Sequence, residues 1–237
     1  MSAKPEIHLH KHSRREFRER INSGELQACI IPVAAIEQHL EHLAMEHDWR
    51  SVCTIADGVA ARLRPQVLVA QGVMAGISEH HMTHVGTLTL SPSTFLAVLG
   101  DLIDSVMRAG FKNILVLNGH GGNIVPCRAV WDQYLRRYQV NLQFLPYWEV
   151  LDQADAELLV TRNIPGHAQE FETAFALAAF PENVRSAAMQ DQSDKTPAHA
   201  TAAAGQQLID RVIERVATHL AEMIAGKNVI PIPAFFP

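Results

Sequence analysis

Three clusters in this sequence contain histidines, two of them together with carboxylates, at spacings that suit a metal site. The first extends from Glu37 to Asp48 and includes His39 among further acidic residues and histidines. Carboxylate oxygens and imidazole nitrogens are typical ligands of zinc, manganese and iron. Because the cluster follows an apolar run, we expect it to leave the end of a strand and converge on one point. A solvated charged loop is the alternative interpretation.

The second cluster is the loop Asn118-Gly119-His120-Gly121-Gly122-Asn123, which follows an apolar run at 113–117. Its glycines let the backbone turn tightly and approach a ligand closely. His120 would then emerge at the carboxyl end of a strand, where the active sites of α/β proteins gather. The spacing fits neither a P-loop nor a dinucleotide-binding motif. A glycine-rich turn with an incidental histidine is the alternative.

The third cluster extends from Gly166 to Thr173 and leads into an apolar helical segment. His167 would lie on the loop and Glu172 in the first helical turn, where the helix dipole favours a carboxylate. Both side chains can then face the same cavity. An acidic helix N-terminus beside a surface histidine would give the same pattern.

In this order the three clusters resemble the creatininase family, also called the creatinine amidohydrolase family. Its pattern is a glutamate, a histidine two positions later, an aspartate nine beyond that histidine, an NGHxxN loop and an HAxxxET segment. The resemblance implies a three-layer α/β/α fold and two divalent metal ions, zinc, manganese or iron. It makes Asp48 the ligand that bridges both ions. Glu37 and His120 would complete one ion's ligands, and His39 would bind the other ion.

One position departs from creatininases proper, which carry a glutamate two residues after the loop histidine, where this sequence has Gly122. Glu172 is our candidate for the missing ligand and shares a catalytic role with His167, which the resemblance makes the proton carrier. We expect the substrate to contact Gly121, Gly122, Asn123, Glu79, His80 and Trp148. An exposed turn is the alternative for Glu79 and His80, and a core position for Trp148.

The chemistry implied by this resemblance is hydrolysis. Two divalent ions about 3.5–4 Å apart can hold a hydroxide between them at neutral pH and polarise a substrate carbonyl. The sequence thus predicts a hydrolase of a small cyclic amide or a formamide. Creatinine itself is disfavoured, because Gly122 lacks the carboxylate and Asn163 stands where creatininases proper offer a tryptophan. A lactonase, a phosphoester hydrolase and a non-catalytic metal-binding protein are the alternatives, and the lack of an arginine-rich cluster disfavours phosphate.

The rest of the sequence forms the elements that position these residues. Short apolar runs predict buried strands at 28–33, 67–70, 113–117 and 142–145. Helical spacing and capping residues predict helices at 14–21, 51–63, 91–110, 125–137 and 199–224. This alternation predicts an α/β fold with a mostly parallel sheet, helices on both faces and a ligand site at the carboxyl ends of the strands.

Composition limits the class of protein. A chain of 237 residues, 48% of them hydrophobic, suits a single domain, which we place at 13–237 after a mobile arm at 1–12. The formal net charge of -5 comes without a basic block, so nucleic acid is not an expected partner. The apolar runs are far shorter than the roughly 20 residues that cross a bilayer.

The cysteines and the resemblance suggest where the protein acts. Cys29, Cys53 and Cys127 are widely spaced, which predicts reduced thiols in a cytoplasmic protein. The resemblance implies a small-molecule substrate and a homo-oligomer, hexameric in many relatives.

Overall fold

A four-stranded parallel sheet lies at the centre of the computed structural model, which describes residues 5–235. The strands are β1 (Ala28–Val33), β2 (Val67–Val69), β3 (Asn113–Asn118) and β4 (Asn141–Pro146), in the order β2-β1-β3-β4. Val33 is in register with Asn118, which is in register with Pro146 on its other side. The carboxyl ends of β1, β3 and β4 therefore form one edge of the sheet.

Seven α-helices lie within the described residues. They are α1 (Arg14–Asn22), α2 (His47–Arg62), α3 (Pro92–Arg108), α4 (Ile124–Tyr138), α5 (Gln153–Ala156), α6 (Glu170–Ala179) and α7 (Ala202–Ile224). Residues of α2, α6 and α7 form one hydrophobic core with the sheet, and residues of α1, α3 and α4 form a second core on the opposite face. The fold is the predicted three-layer α/β/α arrangement, with every strand pair parallel.

The strands have continuous apolar sequences because both faces of the sheet are covered. Ile30 and Leu115 point into the core with α2 and α7, and their neighbours Ile31 and Val116 point into the core with α3 and α4. All four side chains are fully buried. A parallel sheet between two helix layers leaves no solvated face that would require alternation with polar residues.

The N-terminal segment differs from the predicted mobile arm. Residues 1–4 lie outside the described part of the chain, but residues 5–12 pack along the edge strand β2. The backbone N–H of Val69 donates to the carbonyl of Ile7 at 2.8 Å, and Ile7 is buried. The His8 ring lies 3.0 Å from the Asp57 carboxylate. One apolar side chain and the free backbone groups of an edge strand are enough to order a segment rich in polar residues.

Helix α2 begins at His47, four residues earlier than the helical spacing predicts. This earlier start puts Asp48 in the first turn of the helix, at the carboxyl edge of the sheet. The residue before the helix, Glu46, makes no capping hydrogen bond with its side chain, so the usual start signal is absent from the sequence.

Two expectations from composition concern membranes and thiols. Between residues 5 and 235, no helix combines the length and apolarity needed to cross a membrane. The three cysteines are free, with Cys29 and Cys127 buried and Cys53 half-buried. Burial raises the pKa of each thiol to about 12, so none is a reactive thiolate at neutral pH.

Candidate metal centre

Four separate segments bring ligand-type side chains to the carboxyl edge of the sheet. Glu37 and His39 lie on the loop after β1, Asp48 in the first turn of α2, His120 directly after β3, and Glu172 in the first turn of α6. All five side chains are buried. Buried carboxylates and imidazoles at this density require partners, which they find in one another.

Asp48 lies between two histidines. Its Oδ1 is 3.0 Å from His39 Nε2, and its Oδ2 is 2.9 Å from His120 Nδ1. Glu37 Oε1 lies 3.4 Å from the same nitrogen of His120, and Glu172 Oε2 lies 3.8 Å from the same nitrogen of His39. The two oxygens of one carboxylate thus face two groups of potential ligands.

The donor atoms fit metal coordination in spacing and in orientation. Ligand atoms around a tetrahedral ion with bonds of about 2.1 Å lie about 3.4 Å apart, close to the separations between these atoms. The opposite nitrogens, His39 Nδ1 and His120 Nε2, each lie 3.0 Å from a backbone carbonyl, of Glu37 and Ile77 respectively. A carbonyl only accepts, so these nitrogens carry the protons and the nitrogens facing Asp48 remain for an ion.

The charges of the cluster stabilise one another. Burial alone would lower the pKa of both histidines, but the carboxylates beside them raise it to about 9 for His39 and about 10 for His120. Burial would raise the pKa of Asp48, but His39 and His120 hold it well below its usual range. For Glu172 burial is the largest effect, and it raises the pKa of this carboxyl to about 8. The metal-free protein therefore holds protons on the atoms that would bind ions.

His167 lies beside this cluster and is oriented by Gln38. The backbone N–H of Leu40 donates to Gln38 Oε1 at 3.0 Å, which fixes the amide. The amide nitrogen then donates to His167 Nε2 at 2.9 Å, so that His167 Nδ1 carries the ring proton, 3.6 Å from Glu37 Oε1. Burial, together with the nearby His39, lowers the pKa of His167 to about 4. His167 is a neutral imidazole in this environment.

The same amide also donates to His81, which no motif in the sequence singles out as part of the site. Gln38 Nε2 lies 2.9 Å from His81 Nδ1, and the rings of His81 and His167 stack with centroids 4.4 Å apart. Gln38 could have been selected because it stands between two expected ligands, Glu37 and His39. Nothing in the sequence distinguishes His81 from its neighbours His80 and His84.

A cavity of about 290 Å³ opens over the cluster. Of the residues expected to contact substrate, Gly121, Gly122, His80 and Trp148 line it, and Pro165 and His167 form another part of its wall.

Two of the expected contacts lie elsewhere. Glu79 is exposed and does not line the cavity. Asn123 is buried and holds the loop, since its side chain donates to the Ala34 carbonyl and accepts from the N–H of Ile77. Asn123 therefore has a structural part in the site, because its amide satisfies backbone groups that would otherwise lack partners.

The glycine loop has no space for a side chain at position 122, where the expected carboxylate is missing. A Cβ at Gly122 would lie 2.1 Å from the Ile77 carbonyl oxygen and 2.5 Å from His120 Nε2, whereas a Cβ at Gly121 would meet nothing within 4 Å. Only glycine fits at position 122 in this backbone. His80 lies close by, with a donor atom within 4.8 Å of donor atoms of Glu37 and His120.

Comparison with known proteins gives one family. The family model described as "Creatinine amidohydrolase" matches residues 10–198. Among curated proteins, the creatinine amidohydrolase of Pseudomonas putida is 28% identical over 186 residues, which cover 72% of this chain and 70% of that protein. The 3-dehydro-scyllo-inosose hydrolase of Thermotoga maritima is 29% identical over 181 residues, covering 71% of this chain and about half, 54%, of that protein.

Solved structures share the fold. The structure described as "Creatininase Mn" has a TM-score of 0.79 at 22% identity and covers 92% of this chain and 98% of its own. A mutant creatininase described as "Zn-Zn type" has the same TM-score and covers 94% of this chain and 99% of its own. These similar proteins are metal enzymes in manganese and zinc forms.

Proposed function

Because this chain belongs to the creatininase family, we propose that it is a hydrolase that uses two divalent ions to cleave a small cyclic amide or a formamide. The observation that carries the proposal is the position of Asp48, which offers one oxygen to the group around His39 and the other to the group around His120. A carboxylate whose two oxygens face two groups of ligand-type side chains could be shared by two ions.

The ligands divide between the two oxygens of Asp48. Glu37 and His120 would hold one ion with it, and His39 and Glu172 the other. When bound, two ions about 3.5–4 Å apart lower the pKa of water and polarise a carbonyl. The loop has no carboxylate, and Gly122 leaves no space for one. Glu172 would supply the carboxylate in its place.

His167 is the group that would move a proton. It is neutral at pH 7 because burial lowers its pKa. Its basic nitrogen, Nε2, would accept a proton from the attacking water once it exchanges its hydrogen bond from Gln38 for that proton, and the ring would then pass a proton to the leaving nitrogen. Gln38 holds the ring in place and determines which nitrogen carries the proton. Trp148 and Pro165 close the cavity beside it and would contact the substrate.

The size of the cavity supports a small substrate. The cavity volume of about 290 Å³ lies just below the roughly 300–1,000 Å³ that is usual for small-molecule sites, which suits one ring or a short acyl group. The two curated relatives described above are named for creatinine and for 3-dehydro-scyllo-inosose, which are compact cyclic compounds. The departures at Gly122 and Asn163 make creatinine a poor candidate for this chain.

The test is metal content followed by substrate screening. We expect about two equivalents of zinc, manganese or iron by elemental mass spectrometry in the wild-type protein, and loss of both ions in Asp48→Ala, because its oxygens serve both groups. The loaded protein is then screened with lactams, cyclic ureides, formamides and lactones. Fewer than one equivalent after growth with all three metals would contradict the proposal, and so would loss of only one ion in Asp48→Ala.

A further inference from the structure

His47 is a buried histidine beside the candidate metal centre that the proposed function leaves unused. Its side chain is 1% exposed. One ring nitrogen, Nε2, lies 3.3 Å from Ser51 Oγ, but the other, Nδ1, has no hydrogen-bond partner in the described structure. Buried polar atoms without a partner are rare in folded proteins, so this nitrogen calls for an explanation.

The position of His47 beside the candidate metal centre offers an explanation for this unpartnered nitrogen. Its ring centroid is 5.0 Å from that of His39. A donor atom of His47, one of His39 and one of Glu172 all lie within 4.8 Å of one another, and all three residues are buried. The His39 nitrogen available to an ion is Nε2, which lies 3.0 Å from Asp48 Oδ1 and 3.8 Å from Glu172 Oε2, since Nδ1 is bound to a carbonyl.

We propose that His47 is a further protein ligand, together with His39 and Glu172, of one of the two ions. This inference rests on the proposed function, because it needs the second ion. Two imidazoles and one carboxylate form a common ligand set of zinc and non-haem iron. With the bridging oxygen of Asp48, this ion would have four protein ligands without any side chain from Gly122.

The start of α2 makes this geometry available. His47 is the first residue of the helix and Asp48 the second, so consecutive residues reach the centre from one helical turn. Packing alone is the competing explanation, because the His47 ring lies edge-on to Phe180 at 5.6 Å. Packing accounts for the burial of the ring but not for its unpartnered nitrogen.

The experiment compares His47→Gln and His47→Phe with wild type and with His42→Gln. His42 is a matched control, a fully buried histidine of the same segment whose two nitrogens are bound to Thr173 and Gln192 at 2.8 and 3.1 Å. Each apoprotein is titrated with cobalt(II), which reports coordination through its visible spectrum, and with zinc, and metal content is measured after dialysis. The phenylalanine variant keeps the packing against Phe180.

We expect wild type and His42→Gln to bind two ions with the same spectrum. Both His47 variants should bind one ion as wild type does and the second at least about 10-fold more weakly, with an altered cobalt spectrum. Two ions with wild-type affinity and spectrum in either folded His47 variant would overturn this inference alone. A wild-type protein that binds no second ion would overturn the proposed function and the inference with it.

Discussion

The imidazole nitrogens that face Asp48 serve two alternative partners, a proton or a metal ion. In the metal-free protein the neighbouring carboxylates raise the pKa of His39 to about 9 and of His120 to about 10, so both rings are charged at pH 7. An ion binds only to the neutral ring. Metal binding and proton release are therefore coupled at these two residues.

We predict that metal uptake at pH 7 releases protons from the protein. Calorimetric titration of the apoprotein with zinc, in buffers of different ionisation enthalpy, should give at least one proton released for the two ions. Affinity should rise with pH until it passes about 9–10, the range in which His39 and His120 lose their protons in the metal-free state. Uptake with no buffer dependence would show that the rings are already neutral.

Gln38 gives a second prediction for single residues. Gln38→Leu removes the donor to His167 and should lower kcat by roughly 10–100-fold, a part of the 10²–10⁴-fold that a positioned proton carrier contributes. Metal content should stay the same, because the Gln38 side chain contacts no proposed ligand. The matched control is His167→Ala, which removes the proton carrier itself. Equal kcat in wild type and Gln38→Leu would remove Gln38 from the mechanism.

Residue types and spacing predict the candidate metal ligands of the site but not the uncharged side chains that contact them or lie beside them. The predicted ligands, from Glu37 to Glu172, do lie together in the structure. Gln38, His81 and His47 have no charge pattern that would single them out, and their roles depend on which ring or amide lies beside them. The family-like segments predict substrate contacts at Glu79 and Asn123, but Glu79 is exposed outside the cavity and Asn123 holds the loop.

At the scale of elements, the positions of Asp48 and Glu172 depend on how closely α2, α6 and α7 approach one another. Gly205 of α7 lies against α6, where an added Cβ would be 1.9 Å from the Ala174 carbonyl oxygen. Close helix contact through glycine leaves little freedom for α6 to shift. The first turn of α6, with Glu172, is thereby held against the sheet.

Gly205→Ala should accordingly destabilise the protein, although the same change on an exposed helix face would stabilise it by about 1 kcal/mol. Overpacking costs about 1–3 kcal/mol, and the shift of α6 should also weaken metal binding. The control is Ala203→Gly, an exposed position in the first turn of the same helix, which should cost at most about 1 kcal/mol without affecting the metal. Urea unfolding and metal content measure both effects. A more stable Gly205→Ala would disprove the close contact.

The sequence predicts those strands and helices whose boundaries are marked by neighbouring residues. All four strands were predicted within two residues, because apolar runs bounded by polar residues mark them. The start of α2 was missed because Glu46 makes no cap with its side chain, and α7 begins later than predicted because Thr201 is the residue that caps it. Residues 5–12 carry no local signal of their position because they pair with β2, which is distant in sequence.

At the scale of the whole molecule, ion binding should increase the free energy of unfolding and therefore the Tm. At free metal concentrations 100-fold above Kd, one bound ion stabilises the folded state by about 2.7 kcal/mol. A protein of this size gains about 2–4 °C in Tm per kcal/mol, so we expect a rise of roughly 5–10 °C over the chelated protein for each bound ion. Differential scanning fluorimetry with and without EDTA measures it. In Asp48→Ala, which should bind neither ion, the chelator should have no effect.

The ligands come from four stretches of the chain, and the outermost, Glu37 and Glu172, are separated by more than half of its length. The three cysteines form no disulfide that could join these stretches. With ions bound, the centre would act as a non-covalent cross-link that closes a very long loop and so removes conformational freedom from any partly unfolded state. Unlike a disulfide, such a cross-link withstands reducing conditions and opens only when the metal is withdrawn.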